Sequence, residues 1–452
     1  MKIMTIRQLS IILFYSLFLS TVSNGQSQQV KQVETRLMKT ANANIEKYRK
    51  GDAGITFTDS KGNPLKNIQV QIQQQSHDFL LGCILFDLTR GADIYREELF
   101  KQRFKALFNF AVFPFYWPGY ERTPGMTSWS NMLPVIDWCK ANGITTKGHP
   151  LVWSCVSGVP AWLEGYTVAE TEGLLKSRVL NISQGYAGKI DIWDVVNEPV
   201  NVKTWKNKLD HPEDDNDWGI VEPIPEIAEY VGNALHWANT GNPESTLIIN
   251  EYQTIVNKTV RTRFDELITT LKQQNAPLSG IGIQAHEPRQ EWFAPQDVWD
   301  TFELLSRHGL PLHITELHPQ SAGKAITGGW REGEWTAATQ AEFTDQFIRL
   351  CFGHPAVASV NFWGFSDRNI WLPGGGLVDE EYQPKPVYNQ LLSLFNEEWR
   401  TNLLLKTDTK GSVSFRGFYG NYEVRITLPD GRIKTYPVHL RADEGNEWAF
   451  EF

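Results

Sequence analysis

Two glutamates sit in settings that suit covalent chemistry. Glu198 closes the run Trp193-Asp194-Val195-Val196-Asn197-Glu198-Pro199, and Glu316 lies within His313-Ile314-Thr315-Glu316-Leu317-His318. Each follows a short apolar run of the kind that forms a buried strand. Two carboxyl groups flanking one glycosidic bond can break it, one protonating the leaving oxygen while the other attacks the anomeric carbon. The plainer account of Glu198 is an acidic side chain in the first turn of a helix. For Glu316 it is a surface residue after a buried strand. The adjacent Asn197, and the presence of both motifs in one chain, favour the chemical reading. Histidines 149, 286, 313 and 318 raise the question of a metal, but none forms a clean ligand spacing except around Glu316 itself, so no metal and no cofactor are expected.

The elements needed to hold two such carboxyls can be read from periodicity. Eight short apolar strands alternate with longer helical patterns over residues 80–400: Leu80 to Leu85, Phe108 to Phe113, Ile144 to His149, Ile190 to Val196, Thr246 to Asn250, Ile281 to Ala285, Leu312 to Thr315 and Val357 to Trp363. Alternation of this kind is the signature of parallel βα units, and this number of units in a region of this size predicts an α/β fold of the (β/α)8 TIM-barrel type. Active sites of such barrels lie at the C-terminal ends of the strands. His149, Asn197, Glu198, Glu251, Gln284, His286, Glu316 and Trp363 each end or follow a predicted strand.

The flanks differ in texture. Val30, Val33, Leu37 and Ile45 are spaced for one face of a lead-in helix within residues 26–52. Residues 53–79 alternate with period two around a Ser60-Lys61-Gly62-Asn63-Pro64 turn and predict a β-hairpin with one buried face. Residues 401–452 repeat that texture, with Tyr422 to Thr427 and Ile433 to Val438 about a Pro429-Asp430-Gly431 turn. Both flanks are therefore expected to supply strands to one small β-rich accessory module. Residues 1–25 read as a signal peptide, with Lys2 and Arg7 ahead of the apolar stretch Ile11 to Leu19, which predicts a secreted or periplasmic protein. No later segment approaches the length of a membrane span.

A formal charge of −9 without long runs of either sign argues against a nucleic-acid partner. The 17 tryptophans suit packing against sugar rings, although large cores use them too. Cys83, Cys139, Cys155 and Cys351 are scattered and are expected to be buried thiols with at most one disulfide.

Taken in order, the motifs resemble glycoside hydrolase family 10, the family of endo-1,4-β-xylanases. Besides the two glutamate motifs, the matching stretches are Gly148-His149-Pro150-Leu151-Val152-Trp153, Gly280-Ile281-Gly282-Ile283-Gln284-Ala285-His286, and Asn361-Phe362-Trp363-Gly364-Phe365-Ser366-Asp367 followed by Trp371. Phe415-Arg416-Gly417-Phe418-Tyr419-Gly420 looks like the plant-type branch of that family. The resemblance implies Glu198 as acid/base and Glu316 as nucleophile of a retaining hydrolase. It implies Asn197 on the sugar 2-hydroxyl, His149 and Gln284 beside the sugar next to the scissile bond, and His286 on the nucleophile. Trp153, Trp363 and Trp371 would wall the subsites.

Two departures stand out. The Glu-Asn pair and Lys that the family usually places after the second barrel strand are absent from Val112-Phe113-Pro114-Phe115-Tyr116-Trp117-Pro118-Gly119-Tyr120-Glu121, and His318 stands where an Asp usually follows the nucleophile by two. The core chemistry is kept and the glycone pocket rebuilt. The expected protein is a monomeric hydrolase of β-linked plant cell-wall polysaccharide, xylan or a related decorated glycan. The alternative is a non-catalytic glycan-binding protein on the same fold.

Overall fold

A computed structural model describes residues 28–89, 94–205, 222–368, 370–428, 431–443 and 445–452. The predicted signal peptide and the tip of the Pro429-Asp430-Gly431 turn lie outside them. In chain order the strands are β1 (Lys50–Thr58), β2 (Gln69–His77), β3 (Leu80–Ile84), β4 (Phe110–Pro114), β5 (Glu121–Thr123), β6 (Met126–Thr127), β7 (Thr145–His149), β8 (Ile192–Asn197), β9 (Thr246–Glu251), β10 (Gly280–Ile283), β11 (Leu312–Leu317), β12 (Val357–Phe362), β13 (Asn402–Lys406), β14 (Ser412–Phe418), β15 (Gly420–Thr427), β16 (Ile433–Leu440) and β17 (Glu447–Glu451).

Eight of them close into a barrel in the order β10-β11-β12-β3-β4-β7-β8-β9, and every pairing in it is parallel. These are the eight predicted strands, with ends moved by no more than two or three residues. Helices such as Val168–Gly185, Ile224–Gly241 and Lys258–Gln273 cross back outside, each laying an apolar face on the ring. The helix of Val168–Gly185 starts from a capping box between Thr167 and Glu170, and that of Lys258–Gln273 from the Asn257 side chain.

The lead-in helix spans residues 28–48 and buries Leu37, Ala41 and Ile45 against the barrel. Just after it, Arg49 donates to the carbonyls of Phe352, His354 and Val357 at 2.7 Å each. It thereby ties the Phe352 and His354 carbonyls at the end of the helix Ala337–Gly353 to the Val357 carbonyl at the start of β12.

The flanks do form one β-module, but the predicted hairpin does not form. β1 joins the sheet β14-β1-β17, β2 joins the sheet β13-β2-β15-β16, and the two sheets share one apolar core. Alternation correctly placed Ile55, Phe57, Val70 and Ile72 on a buried face. It could not reveal that β1 and β2 face each other across a sandwich instead of lying side by side. The C-terminal pair behaves as expected, with β15 and β16 antiparallel from Gly420↔Leu440 to Thr427↔Ile433. All four cysteines are buried, and none is in a disulfide.

Candidate active site

Glu198 and Glu316 come from β8 and β11, three places apart around the ring, with β9 and β10 between them. Backbone bonds step along this arc: the Glu198 amide donates to Asn250 (2.7 Å), the Gln284 amide to Glu251 (3.0 Å) and the Glu316 amide to Gln284 (3.1 Å). Both glutamate strands depart from regular pairing. The β8–β9 register slips between Asp194 and Val196, and the β11–β12 register between Ile314 and Leu317. An extra residue in one strand turns the following side chains, a device that often re-aims residues at active sites.

Glu198 itself has φ +58°, an uncommon conformation for a residue with a Cβ and one that costs about 1–3 kcal/mol. The turn that imposes it is held from below by Glu251. That carboxylate accepts from the amides of Val200 (2.8 Å) and Tyr252 (2.9 Å) and from the Asn201 side chain (2.9 Å).

One hydrogen-bond network joins the two carboxyls. Glu198 accepts from Trp153 Nε1 at 2.7 Å and from Gln284 Nε2 at 2.8 Å. Gln284 Nε2 also reaches Asn197 Oδ1 at 3.2 Å, and Asn197 Oδ1 accepts from Asn250 Nδ2 at 2.8 Å. Asn250 Nδ2 in turn donates to Glu316 Oε1 at 2.7 Å. His286 Nδ1 lies 3.1 Å from the Glu316 carbonyl and 3.5 Å from its Oε2. His149 Nε2 is 3.7 Å from Glu316 Oε1, while its Nδ1 donates to Asp194 at 2.8 Å. Asp194 also meets Lys147 Nζ at 2.7 Å, so a wholly buried ion pair lies beneath the histidine.

Burial dominates the electrostatics. It raises the Glu198 carboxyl from its ordinary 4.5 to about 7, against the opposing hydrogen bonds from Gln284, Trp153 and Asn197. The Glu316 carboxyl is also raised, first by burial and then by the charge of Glu198. Two carboxyls in one dry pocket do not both ionise readily, so the pair gives up its protons one after the other. Burial holds the His286 imidazole down at about 3, which keeps it neutral.

Eight of the nine predicted site residues line a single cleft of about 1690 Å³: Trp153, Asn197, Glu198, Gln284, His286, Glu316, Trp363 and Trp371. His149 sits one layer deeper, 1% exposed, with its ring 4.8 Å from that of Trp363. Trp371 is 47% exposed at the mouth, and the Arg289 guanidinium lies 4.3 Å above its ring. Tyr116 faces Trp153 at 5.7 Å.

Other expectations resolve differently. Phe115 and Trp117, in the rebuilt stretch after β4, turn away from the cleft: Phe115 packs on Tyr186 and Trp193, and Trp117 on Trp162 and Trp205. Trp292 and Trp335 stack on each other at 5.6 Å in the core, and Trp330 donates to Glu34 of the lead-in helix, so none of the three borders the cleft. His313 points to Ser359 Oγ at 2.8 Å. Neither ring nitrogen of His318 has a partner among the described residues, so it cannot steady His286 as an aspartate would. The described residues contain no cluster suited to a metal ion.

Asp194, Lys147 and Asn250 were not singled out from sequence, although they orient His149 and link the carboxyls. Asp194 stood inside the quoted motif. The signal that could have found it was a charged residue in a strand otherwise too apolar to tolerate one.

Comparisons with known proteins agree with this fold. The crystal structure of native xylanase 10B from Thermotoga maritima has the same fold, with a TM-score of 0.57 at 24% identity over 71% of this chain and 97% of that one. The anti-sigma-I factor RsgI6 of Acetivibrio thermocellus is 24% identical over 432 residues, which is 94% of this chain and 51% of that protein. Endo-1,4-beta-xylanase 2 of Arabidopsis thaliana is 25% identical over 405 residues, 88% of this chain and 34% of that protein. The chain thus spans about half or less of the length of these two relatives. The family profile described as Glycosyl hydrolase family 10 matches residues 95–394, well over half of the sequence. With that match laid over a closed eight-stranded barrel, the chain belongs to glycosyl hydrolase family 10.

Proposed function

We propose that the protein is a retaining glycoside hydrolase that cleaves β-linked plant cell-wall polysaccharide, xylan or a related decorated glycan, by double displacement. The observation that carries this reading is the pairing of Glu198 and Glu316 through Asn197, Gln284 and Asn250 at the floor of one cleft. In the reactive state the single proton of the pair sits on Glu198 and the charge on Glu316. Glu316 attacks the anomeric carbon as the glycosidic C–O bond breaks and Glu198 protonates the departing oxygen, so Glu316 becomes a neutral glycosyl ester and the negative charge passes to Glu198. Glu198, now ionised, takes a proton from the incoming water, whose oxygen displaces Glu316. His286, neutral and close to the nucleophile, is suited to orient it without competing for the proton.

The xylanases among the relatives support the substrate class. Export is proposed on the leader pattern of the sequence. One relative is named as an anti-sigma factor and not as an enzyme, which keeps open a second reading in which this barrel binds glycan without turning it over.

A single experiment separates the two. The purified protein is incubated with a panel of plant polysaccharides, and the first-formed product is followed by NMR. Released oligosaccharide with retained anomeric configuration is the expected result. An inverted first product overturns the mechanism, and binding with no product from any glycan overturns the hydrolase reading.

A further inference from the structure

The cleft carries positive charge away from its two carboxyls. Arg122 and Arg289 both line it, on a chain whose formal charge is −9. They come from the loops after β4 and β10, which stand four places apart in the ring of eight and so on opposite sides of the rim. Arg289 is partly answered, since its Nε lies 2.9 Å from Glu287 Oε1 and its guanidinium covers Trp371. Arg122 is exposed and has no hydrogen-bond or ion-pair partner among the described residues.

The segment that presents Arg122 is held firmly. The carboxylate of Glu121 accepts from Trp117 Nε1 (2.8 Å) and from the Gly125 amide (2.7 Å), and the Glu121 carbonyl accepts from Trp162 Nε1 (2.9 Å). β5 and β6 then pair as a short hairpin, closed by the Ser128 amide donating to the Tyr120 carbonyl at 2.8 Å. The β5–β6 register shifts between Glu121 and Thr123, so Arg122 is the extra residue of this hairpin, exposed on the wall of the cleft. An exposed, unpaired guanidinium carried on a held segment of the cleft wall is a ready partner for a carboxylate, which it can grip with two parallel N–H donors. It also offsets the repulsion that Glu316 and Glu287 would exert on an acidic substrate.

The geometry points to Arg122 as a specificity-determining residue that binds the carboxylate of a uronic acid substituent on the glycan. This rests on the reading of the cleft as a hydrolase site and names the decoration that the site takes. A single unpaired cation suits an isolated acidic branch on a neutral backbone. A polyuronate would bring a charge at every sugar, and the described residues offer no matching row of cations in the cleft.

The test is calorimetric titration at low salt with a uronic-acid-branched xylo-oligosaccharide and with the same compound after its carboxyl is reduced to the alcohol. The acidic form is expected to bind about 10- to 100-fold more tightly, the worth of a charge-assisted pair. In Arg122→Gln this preference should collapse, and in Arg122→Lys, which keeps the charge without the fork, it should be intermediate. Equal affinities, a preference that survives Arg122→Gln, or no binding of either compound overturns the proposal. Product release from both compounds is followed in parallel. Preference without turnover sinks the hydrolase reading alone, and turnover without preference sinks this inference alone.

Discussion

The sandwich core and the rim of the barrel treat burial in opposite ways. In the sandwich, the strands bring Ile55, Phe57, Val70, Ile72, Val424 and Ile426 together, and the buried hydroxyl of Tyr422 is answered by the Phe418 carbonyl at 2.6 Å. On the rim, strand ends bury Glu198, Glu316, His149, His286 and the Lys147–Asp194 pair, the β8–β9 and β11–β12 ladders slip register, and Glu198 takes a left-handed backbone conformation. Apolar burial stabilises wherever it is placed, whereas buried ionisable groups are retained at a cost in stability and shift their pKa values. The sandwich is thus built for stability and the rim for reactivity. Substitutions in the two places should separate these properties.

The largest effect is expected from Glu316→Ala. Turnover should fall on the order of 10⁵-fold for every leaving group, because no covalent intermediate can form. Tm should hold or rise, since a buried carboxyl is gone; steady-state kinetics beside calorimetry reads both. A clear loss of Tm would break the contrast.

Glu198→Ala should lower kcat on oligosaccharides by about 10²- to 10⁴-fold while sparing aryl glycosides with good leaving groups, which need no protonation. Added azide should restore part of the rate as a glycosyl azide product. Identical losses with good and poor leaving groups would show that the roles of the two glutamates are misassigned.

Asp194→Asn sharpens the comparison because it belongs to both sides. It leaves Lys147 buried without its counter-charge, an expected loss of about 3–5 kcal/mol on denaturant unfolding, and it frees the His149 ring beside the nucleophile. Stability and activity should fall together. Ile72→Ala, in the sandwich, should cost about 2–5 kcal/mol of stability with kcat/KM unchanged at temperatures where the fold persists.

The smallest effect concerns pH. The folded Glu198 carboxyl holds its proton up to about 7, while its ordinary value is 4.5. As pH rises between these values the unfolded chain releases that proton first, so this residue's contribution to stability declines through about 7. The acid needed for catalysis is lost over the same range, which places an alkaline limb of kcat/KM near 7. In Glu198→Gln the decline in Tm over this window should shrink, and a slope identical to that of the parent protein would assign the titration to another group.

The sequence carried the barrel well, because each inward strand needs an unbroken apolar run and the helices between them need a different period. It also carried both glutamates, since a carboxyl directly after such a run is costly without a function. What it could not carry was orientation and partnership. Tyr116 and Phe115 are neighbours of like size, yet one faces the cleft and the other fills the core. The β1 and β2 alternation gave the buried faces but not the sheet each strand joins. The raised Glu198 pKa belongs to the same class of property: burial is its largest cause, and burial exists only in three dimensions.

The way the accessory sheets are woven has a mechanical meaning. β1 pairs with β14 and with β17, so Lys50 is registered against Phe418 and Thr58 against Glu451. The sandwich therefore acts as a clasp that makes the barrel segment effectively circular. A free loop of that length costs about 5 kcal/mol of entropy to close. Once the clasp is shut the barrel no longer bears this cost alone, and the barrel's first and last segments are kept from fraying apart. Slow formation is the other side of that benefit, because strands nearly the whole chain apart must meet before either sheet is complete.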